Sequence, residues 1–163
     1  MPIAAASLKN ILIRCDASLL IGSGHVMRCR NLARELQSRG AQISFLCRRQ
    51  PGDLIRVLEQ EFSVLVLPEQ PLASCGGLEG RDLYGAWLGC SQEKDAFQCL
   101  QVLAKAGIKS GSHLIVDHYG LDARWESLLL AGLSVGNTSP KLLVVDDLAD
   151  RPHKADFLLD QNY

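Results

Sequence analysis

The sequence predicts an α/β fold, in which a doubly wound and mostly parallel sheet is covered by helices. From about residue 10, short apolar runs alternate with segments whose apolar residues recur at helical spacing. This alternation is typical of β-α-β units with right-handed crossovers. Polar residues directly follow several of the apolar runs, as they do at the ligand-binding edge of such sheets. The chain has 163 residues, and residues 10–163 can bury a core as one domain.

Six apolar segments are interpreted as the strands of this sheet. In order, they cover residues 10–15, 42–46, 62–67, 113–117, 141–146 and 157–159. The third of these runs is almost continuously apolar, which suits a parallel sheet covered on both faces. The second alternates between apolar and polar residues, as a half-buried strand does.

Four segments are predicted to be helices. They run from about residue 23 to 40, 51 to 61, 91 to 107 and 122 to 130. Apolar residues of the first helix recur on one face, at Val26, Cys29, Leu32, Ala33 and Leu36. Gly40 is expected to end that helix, and Ser91 and Asp122 are residue types that cap the start of a helix.

Residues 68–90 interrupt the alternation of strands and helices. This segment holds two prolines, five glycines and the aromatic residues Tyr84 and Trp87, so we interpret it as a long loop. A loop of this length in a compact domain is usually functional or disordered. Residues 1–9 are predicted to be a flexible N-terminal segment.

The composition argues against several classes of function. Seventeen basic and 18 acidic residues leave a net charge of −1, which gives no general attraction to nucleic acid. The chain shows neither a membrane-span-length apolar run nor a secretory signal, so we expect a cytoplasmic protein without a membrane partner. Its six cysteines form no C-x-x-C pair and are interpreted as buried thiols. No metal site and no cofactor are expected.

The segment Gly22-Ser23-Gly24-His25 is the first candidate functional site, because it lies where the first strand turns into the first helix. Glycines allow a sharp turn or a close approach of the backbone to a ligand. Free N–H groups at the start of a helix favour anionic groups such as phosphate. An imidazole beside a phosphate site indicates proton-transfer chemistry. A tight turn without a ligand is the alternative interpretation.

The same glycines do not form a dinucleotide-binding fingerprint. That motif requires G-x-G-x-x-G and an acidic residue at the end of the second strand. Here Met27 stands at the third glycine position, and the second strand runs into Cys47, Arg48 and Arg49. Arg48 could accept a 2′-phosphate, but two failed tests argue against nicotinamide binding.

Charged residues around the glycine turn are candidate partners for the histidine and for phosphate. Asp16 lies in the same loop and is expected to orient the imidazole of His25 and to raise its basicity. Arg14, Arg28 and Arg30 are candidates for phosphate contacts, with Arg28 the best placed. Simple solvation of these arginines is the alternative.

Two more strands end in polar residues at the same predicted edge of the sheet. Asp117, His118 and Tyr119 end the fourth strand and begin its loop. Adjacent residues of an extended segment point to opposite sides, which argues against a metal held by Asp117 and His118. Asp146 and Asp147 follow the fifth strand, where salt bridges or helix capping are the favoured interpretation.

Several separated segments, taken in order, resemble the UDP-sugar hydrolase family of pseudaminic acid biosynthesis. These segments are RCDAS (14–18), IGSGHVMRC (21–29), WLG (87–89) with DA (95–96), VDHYGL (116–121) with WE (125–126), VDDLADR (145–151) and DQN (160–162). Enzymes of that family act on UDP-2,4-diacetamido-2,4,6-trideoxy-β-L-altropyranose, and related proteins take part in spore-coat polysaccharide synthesis. The resemblance extends over about residues 10–163.

The resemblance implies a two-domain architecture similar to that of glycosyltransferase-B enzymes, with the active site in the cleft between the domains. This chain would be the Rossmann-like N-terminal domain, and the C-terminal domain that makes most UDP contacts would be absent from it. We therefore expect the chain alone to be inactive, because most of the binding energy for a UDP-sugar is missing. Its open cleft face could also drive self-association.

The activity implied by the resemblance is hydrolysis of a UDP-sugar by water attack at the anomeric carbon. His25 matches the histidine that is proposed as the catalytic base. The residues expected to bind the substrate or support the cleft are Asp16, Gly22, Gly24, Arg28, Asp117, His118 and Tyr119. Two alternatives stay open: a glycosyltransferase, whose base would deprotonate an acceptor hydroxyl, and a non-catalytic binding half-domain.

Overall fold

A computed structural model of the chain describes residues 10–71, 75–108 and 112–162. Its strands are β1 (Ile11–Cys15), β2 (Ile43–Arg48), β3 (Ser63–Leu67), β4 (His113–Asp117), β5 (Leu142–Val145) and β6 (Phe157–Leu159). They form one six-stranded sheet in the order β3-β2-β1-β4-β5-β6, and every neighbouring pair is parallel. This is the strand order of the doubly wound α/β fold, so the predicted fold class is confirmed. The predicted flexible segment 1–9 lies outside the described residues.

The helices that accompany the sheet are α1 (Gly24–Ser38), α2 (Ile55–Leu58), α3 (Gly80–Trp87), α4 (Gln92–Lys105) and α5 (Ala123–Leu133). Ser91 and Asp122 cap α4 and α5 as expected, because each side chain accepts a hydrogen bond from a backbone N–H in the first turn. Gly40 follows α1 with a φ of 93°, a left-handed conformation that favours glycine. Within the described part of the chain, no helix is long and apolar enough to cross a membrane.

Two predicted segments differ from the structure. The helix expected over residues 51–61 is limited to the four residues of α2. The segment 68–90 is not one long loop, since it contains the eight-residue helix α3. None of the residues of α3 is buried, and two of its eight residues, Gly80 and Gly85, are glycines, which is why the composition of this segment indicated a loop. Residues 72–74 of this segment lie outside the described ranges.

The core lies on both faces of the sheet because side chains alternate along each strand. Ile13 and Cys15 of β1 pack on one face with residues of α1 and α2. Leu12 of β1 packs on the other face with residues of α4 and α5. This alternation continues into the loops that follow the strands, where it decides which polar side chains meet.

Gly120, in the loop after β4, permits a close approach of α3 to the candidate site. A Cβ atom at this position would lie 2.5 Å from the backbone carbonyl oxygen of Tyr84 and 3.0 Å from Cε1 of His118. Gly120→Ala is therefore expected to lower the free energy of unfolding by about 1–3 kcal/mol, as measured by urea denaturation.

Gly85 in α3 provides the matched control for this substitution, since a Cβ there would meet nothing within 4 Å. Gly85→Ala is expected to leave the stability unchanged or to raise it by up to about 1 kcal/mol. Equal stabilities of the two variants would contradict the close approach of α3 to Gly120.

Candidate functional site

The first turn of α1 and the end of β4 bring together a histidine and a carboxylate. Nδ1 of His25 lies 2.6 Å from Oδ1 of Asp117. An ionised carboxylate only accepts hydrogen bonds, so Nδ1 carries the proton and donates it to Asp117. Among the described residues, Nε2 of His25 has no hydrogen-bond partner. This tautomer leaves the Nε2 lone pair able to accept a proton.

Asp117 is also held by Arg28, one turn further along α1. Nε and Nη2 of Arg28 donate to the two carboxylate oxygens at 2.8 and 2.7 Å, a bidentate pair. Burial alone would raise the pKa of the Asp117 carboxyl, but the hydrogen bonds from His25 and Arg28 outweigh it and hold the pKa below its usual value. Asp117 is therefore a fixed negative charge beneath the imidazole.

Arg28 also contacts two residues that follow β5 and β6. Its Nη1 atom donates to Oδ2 of Asp147 at 2.6 Å and to Oε1 of Gln161 at 2.8 Å. Pairing with the two carboxylates keeps the pKa of Arg28 above its usual value, although partial burial acts against this. Arg28 is thus already neutralised by the protein.

Tyr119 forms one wall of the site. Its ring packs edge-on against His25 with 4.5 Å between the ring centroids, and its hydroxyl donates to Oδ2 of Asp147 at 3.0 Å. Burial and the neighbouring Asp147 raise the pKa of Tyr119 to about 12, so the hydroxyl stays protonated at neutral pH. Tyr84 and Trp87 of α3 extend this aromatic wall, with centroids 5.4 and 6.3 Å from that of Tyr119.

An open cavity of about 330 Å³ lies over this arrangement. The residues that line it are Ile21, Gly24, His25, Arg28, Tyr119 and Gln161. Beside it, Gly22 has a φ of 80°, and its N–H donates to the carbonyl of Ser18 at 2.8 Å. Gly22 therefore closes the sharp turn that the sequence indicated. Ser23, which precedes α1, makes no side-chain cap, so the first N–H groups of the helix stay open to an anion.

A second polar cluster lies on the other face of the sheet and is fully buried. Asp95 of α4 accepts hydrogen bonds from Arg14 at 2.8 Å, from Arg48 at 2.6 Å and from Nε1 of Trp125 at 2.8 Å. Asp16 accepts from Arg14 at 2.6 Å. Two arginines and two aspartates thus neutralise one another between the sheet and α4 and α5.

His118 completes this buried cluster. Its Nδ1 accepts the backbone N–H of Gly120 at 3.0 Å, and its Nε2 lies 3.3 Å from Oδ2 of Asp16. Burial lowers the pKa of His118, against the opposing effect of Asp16, so the imidazole is neutral with its proton on Nε2. His118 therefore supports the loop that carries Tyr119.

The structure corrects several of the predicted roles. Asp16 is not the partner of His25, because its side chain lies on the opposite face of the sheet, among the buried cluster. Asp16, Asp117 and His118 are all at most 2 % exposed and held by other side chains, so they support the site from beneath rather than face the cavity. Gly24, Arg28 and Tyr119 do line the cavity.

The arginines predicted to contact phosphate are also engaged elsewhere. Arg14 and Arg48 are fully buried and paired with Asp95. Arg30 pairs with Glu61 on the far side of α1. Because Arg28 is paired with two carboxylates, none of these four is free to bind an anion as the protein stands.

The salt-bridge interpretation of the segment after β5 is confirmed for both aspartates. Asp147 pairs with Arg28 at 2.6 Å. The carboxylate of Asp146 pairs with Arg151 at 2.7 Å and lies 3.4 Å from Nε2 of His153. His153 in turn binds Glu126 of α5 at 2.6 Å. These contacts tie the chain after β5 to α5 and leave Asp147, the next residue, for the candidate site.

The cysteine prediction is confirmed at four positions, Cys15, Cys29, Cys47 and Cys99, which are all at most 2 % exposed. It is wrong at Cys75 and Cys90, which are only partly buried. Hydrogen bonds with Cys29 and with Cys15, followed by burial, raise the pKa values of Cys15 and Cys47, respectively. Although its hydrogen bond with Cys15 acts against this, burial raises the pKa of Cys29, and burial is the main cause that raises the pKa of Cys99. Within residues 10–71, 75–108 and 112–162, no group of three or more candidate ligands could hold a metal ion.

Asp147 and Gln161 are the site residues that sequence reasoning missed. Asp147 and Asp117 lie on the same face of the sheet, the face that α1 covers. Asp117 is two residues after Ile115 and Asp147 is four residues after Leu143, and both of these strand residues pack on that face. This alternation was readable in the sequence. Gln161 follows β6 in a turn, where no periodicity indicates the direction of its side chain.

Comparisons with known proteins give a fold likeness only. No family model matches the chain, and no curated protein matches it. Among solved structures, the crystal structure of MurG from Acinetobacter baumannii is similar, with 14% sequence identity and a TM-score of 0.47. The likeness covers 86% of this chain and 35% of that chain, so this chain spans about a third of the MurG chain.

Proposed function

We propose that this chain is the half of a nucleotide-sugar hydrolase that carries the catalytic base. The substrate would be a UDP-diacetamido-trideoxyhexose, as the resemblance to the pseudaminic acid pathway hydrolases implies. The observation that carries the proposal is the histidine at the start of α1, with Nδ1 fixed by Asp117 at 2.6 Å and Nε2 unpartnered within the described ranges beside an open cavity.

The proposed reaction needs one base and a good leaving group. Nε2 of His25 takes a proton from water while the water oxygen forms a bond to the anomeric carbon of the sugar. The bond between that carbon and the phosphate oxygen breaks, and its electron pair leaves with UDP. Asp117 stabilises the imidazolium that forms, as a buried carboxylate does for a base that it also orients.

The negative charge of the departing diphosphate has to be stabilised by groups other than the side chains beneath the cavity. Arg28 is bound to Asp117 and Asp147 and offers little free charge. The open N–H groups at the start of α1 supply a partial positive charge of roughly half a unit. An opposite domain that binds UDP would supply the rest, and for that reason residues 1–163 alone are expected to release no measurable UDP.

Asp117→Asn tests the coupling between the carboxylate and the base. In a version that includes the opposite domain, this substitution is expected to slow UDP release by about 10- to 100-fold, because the imidazolium loses its counter-charge. Asp156→Asn is the control, since Asp156 pairs with Lys141 at the other end of β5. Wild-type turnover by the Asp117 variant would contradict the proposed dyad.

The same assay separates hydrolysis from sugar transfer. UDP release is measured with and without an added acceptor alcohol, and the product is checked for inversion at the anomeric carbon. Release at the full rate in water supports the hydrolase. Release that requires the acceptor would make the protein a transferase with the same base.

A further inference from the structure

We propose that Gln161 is a specificity-determining residue, whose side-chain amide donates a hydrogen bond to an uncharged oxygen of the sugar beside His25. That oxygen would be a hydroxyl or the carbonyl of an acetamido group. The inference rests on the proposed function, because that function puts a sugar in the cavity that Gln161 lines together with His25.

The orientation of the Gln161 amide is fixed by its contacts. Oε1 accepts a hydrogen bond from Nη1 of Arg28 at 2.8 Å. A guanidinium has donors only, so the oxygen of the amide must face Arg28. The backbone N–H of Gln161 donates to Oδ1 of Asp147 at 3.1 Å and anchors the residue. Within the described ranges, the NH₂ group has no partner and is left to donate to a ligand.

The surrounding charges favour an uncharged acceptor over a phosphate. Asp147 lies against the backbone of Gln161, and Arg28 is neutralised by Asp117 and Asp147. Two cations lie on the other side of Tyr119. They are Arg81 and Arg151, and both are within 4 Å of Asp150. A phosphate at Gln161 would meet carboxylates without a free cation, whereas a hydroxyl or carbonyl oxygen would meet a neutral donor.

The test measures binding of N-acetylglucosamine to residues 1–163 by NMR titration of the isotope-labelled chain. The probe carries both hydroxyl and acetamido oxygens and no charge. Gln161→Glu keeps an oxygen for Arg28 and removes the NH₂ group, and Gln161→Met removes the amide without adding charge. Each is expected to weaken binding by about two- to tenfold, the effect of losing one hydrogen bond from an exposed side chain.

Asn31→Asp is the matched control for the added charge. Asn31 is exposed on α1 and lines a neighbouring cavity with Gln161 but not the cavity of His25. This variant should bind the sugar as the wild type does. Wild-type affinity in both Gln161 variants would overturn the inference, and so would a wild-type chain that shows no perturbation up to the solubility of the sugar.

Inorganic pyrophosphate is the second probe. It should leave the side-chain amide signals of Gln161 unchanged, and a perturbation there larger than that by the sugar would overturn the inference in favour of a phosphate subsite. Because these titrations involve no turnover, their failure is distinct from that of the proposed function. The proposed hydrolysis is tested separately, by the UDP release of the His25 and Asp117 variants and by whether that release requires an acceptor.

Discussion

His25→Gln is expected to slow UDP release by roughly 100- to 10,000-fold in a version that includes the opposite domain, the range that a general base contributes. Glutamine fills similar space and can still hydrogen bond to Asp117, but its amide cannot accept a proton from water at neutral pH. Nucleotide binding should change little, since the proposed reaction puts His25 beside the sugar and the nucleotide on the opposite domain. The measurements are steady-state UDP release and UDP affinity by calorimetry.

His113 offers a matched control at the opposite end of the strand that carries Asp117. It begins β4, and its Nδ1 accepts the backbone N–H of Lys141 at 3.2 Å. His113→Gln should therefore retain wild-type turnover. If His25→Gln also retained wild-type turnover, His25 would not be the base, and a different group would have to activate the water.

Asp95→Asn is expected to lower the free energy of unfolding by about 3–5 kcal/mol, the cost of removing one partner from a buried ion pair. Asp95 is fully buried and holds the guanidinium groups of Arg14 and Arg48. Asparagine has nearly the same shape, so the change isolates the charge. With Asp95 neutral, Asp16 is the one carboxylate of the cluster left for two buried cations. Urea denaturation followed by circular dichroism measures the loss.

An exposed ion pair provides the comparison for this variant. Glu35 pairs with Arg39 at 2.6 Å on the surface of α1, where both side chains are more than half exposed. Glu35→Gln should cost less than about 1 kcal/mol, because water solvates both partners after the change. An Asp95 variant as stable as the Glu35 variant would show that the buried cluster is not held by its charges.

The periodicity of the sequence was enough to predict most of the fold. The apolar face of α1 and the apolar runs of β3 and β4 are strong local patterns, and the caps at Ser91 and Asp122 are side chains that satisfy backbone groups nearby in sequence. The helix α3 was missed because it is only eight residues long and contains two glycines. Its position depends on contacts with Tyr119 and Gly120, which are distant in sequence.

The sequence predicted where the candidate site lies, but it did not predict which aspartate is hydrogen-bonded to His25. That His25 stands at the start of a helix, at the edge where strands end in aspartates, follows from the sequence alone. Which aspartate it meets was decided by the tertiary structure. Strand pairing puts Asp117 in register with Cys15, on the face that α1 covers. Asp16, one residue further, points to the opposite face.

The doubly wound sheet, the edge at which polar residues collect and the histidine beside that edge could therefore be predicted without a structure, because each of them depends on local spacing. In contrast, the neutralisation of Arg28 by two aspartates and the position of Gln161 at the cavity of His25 depend on long-range packing. These contacts join residues more than 80 positions apart in the chain. Only the packing of α1 against the ends of β4, β5 and β6 brings them within hydrogen-bond distance.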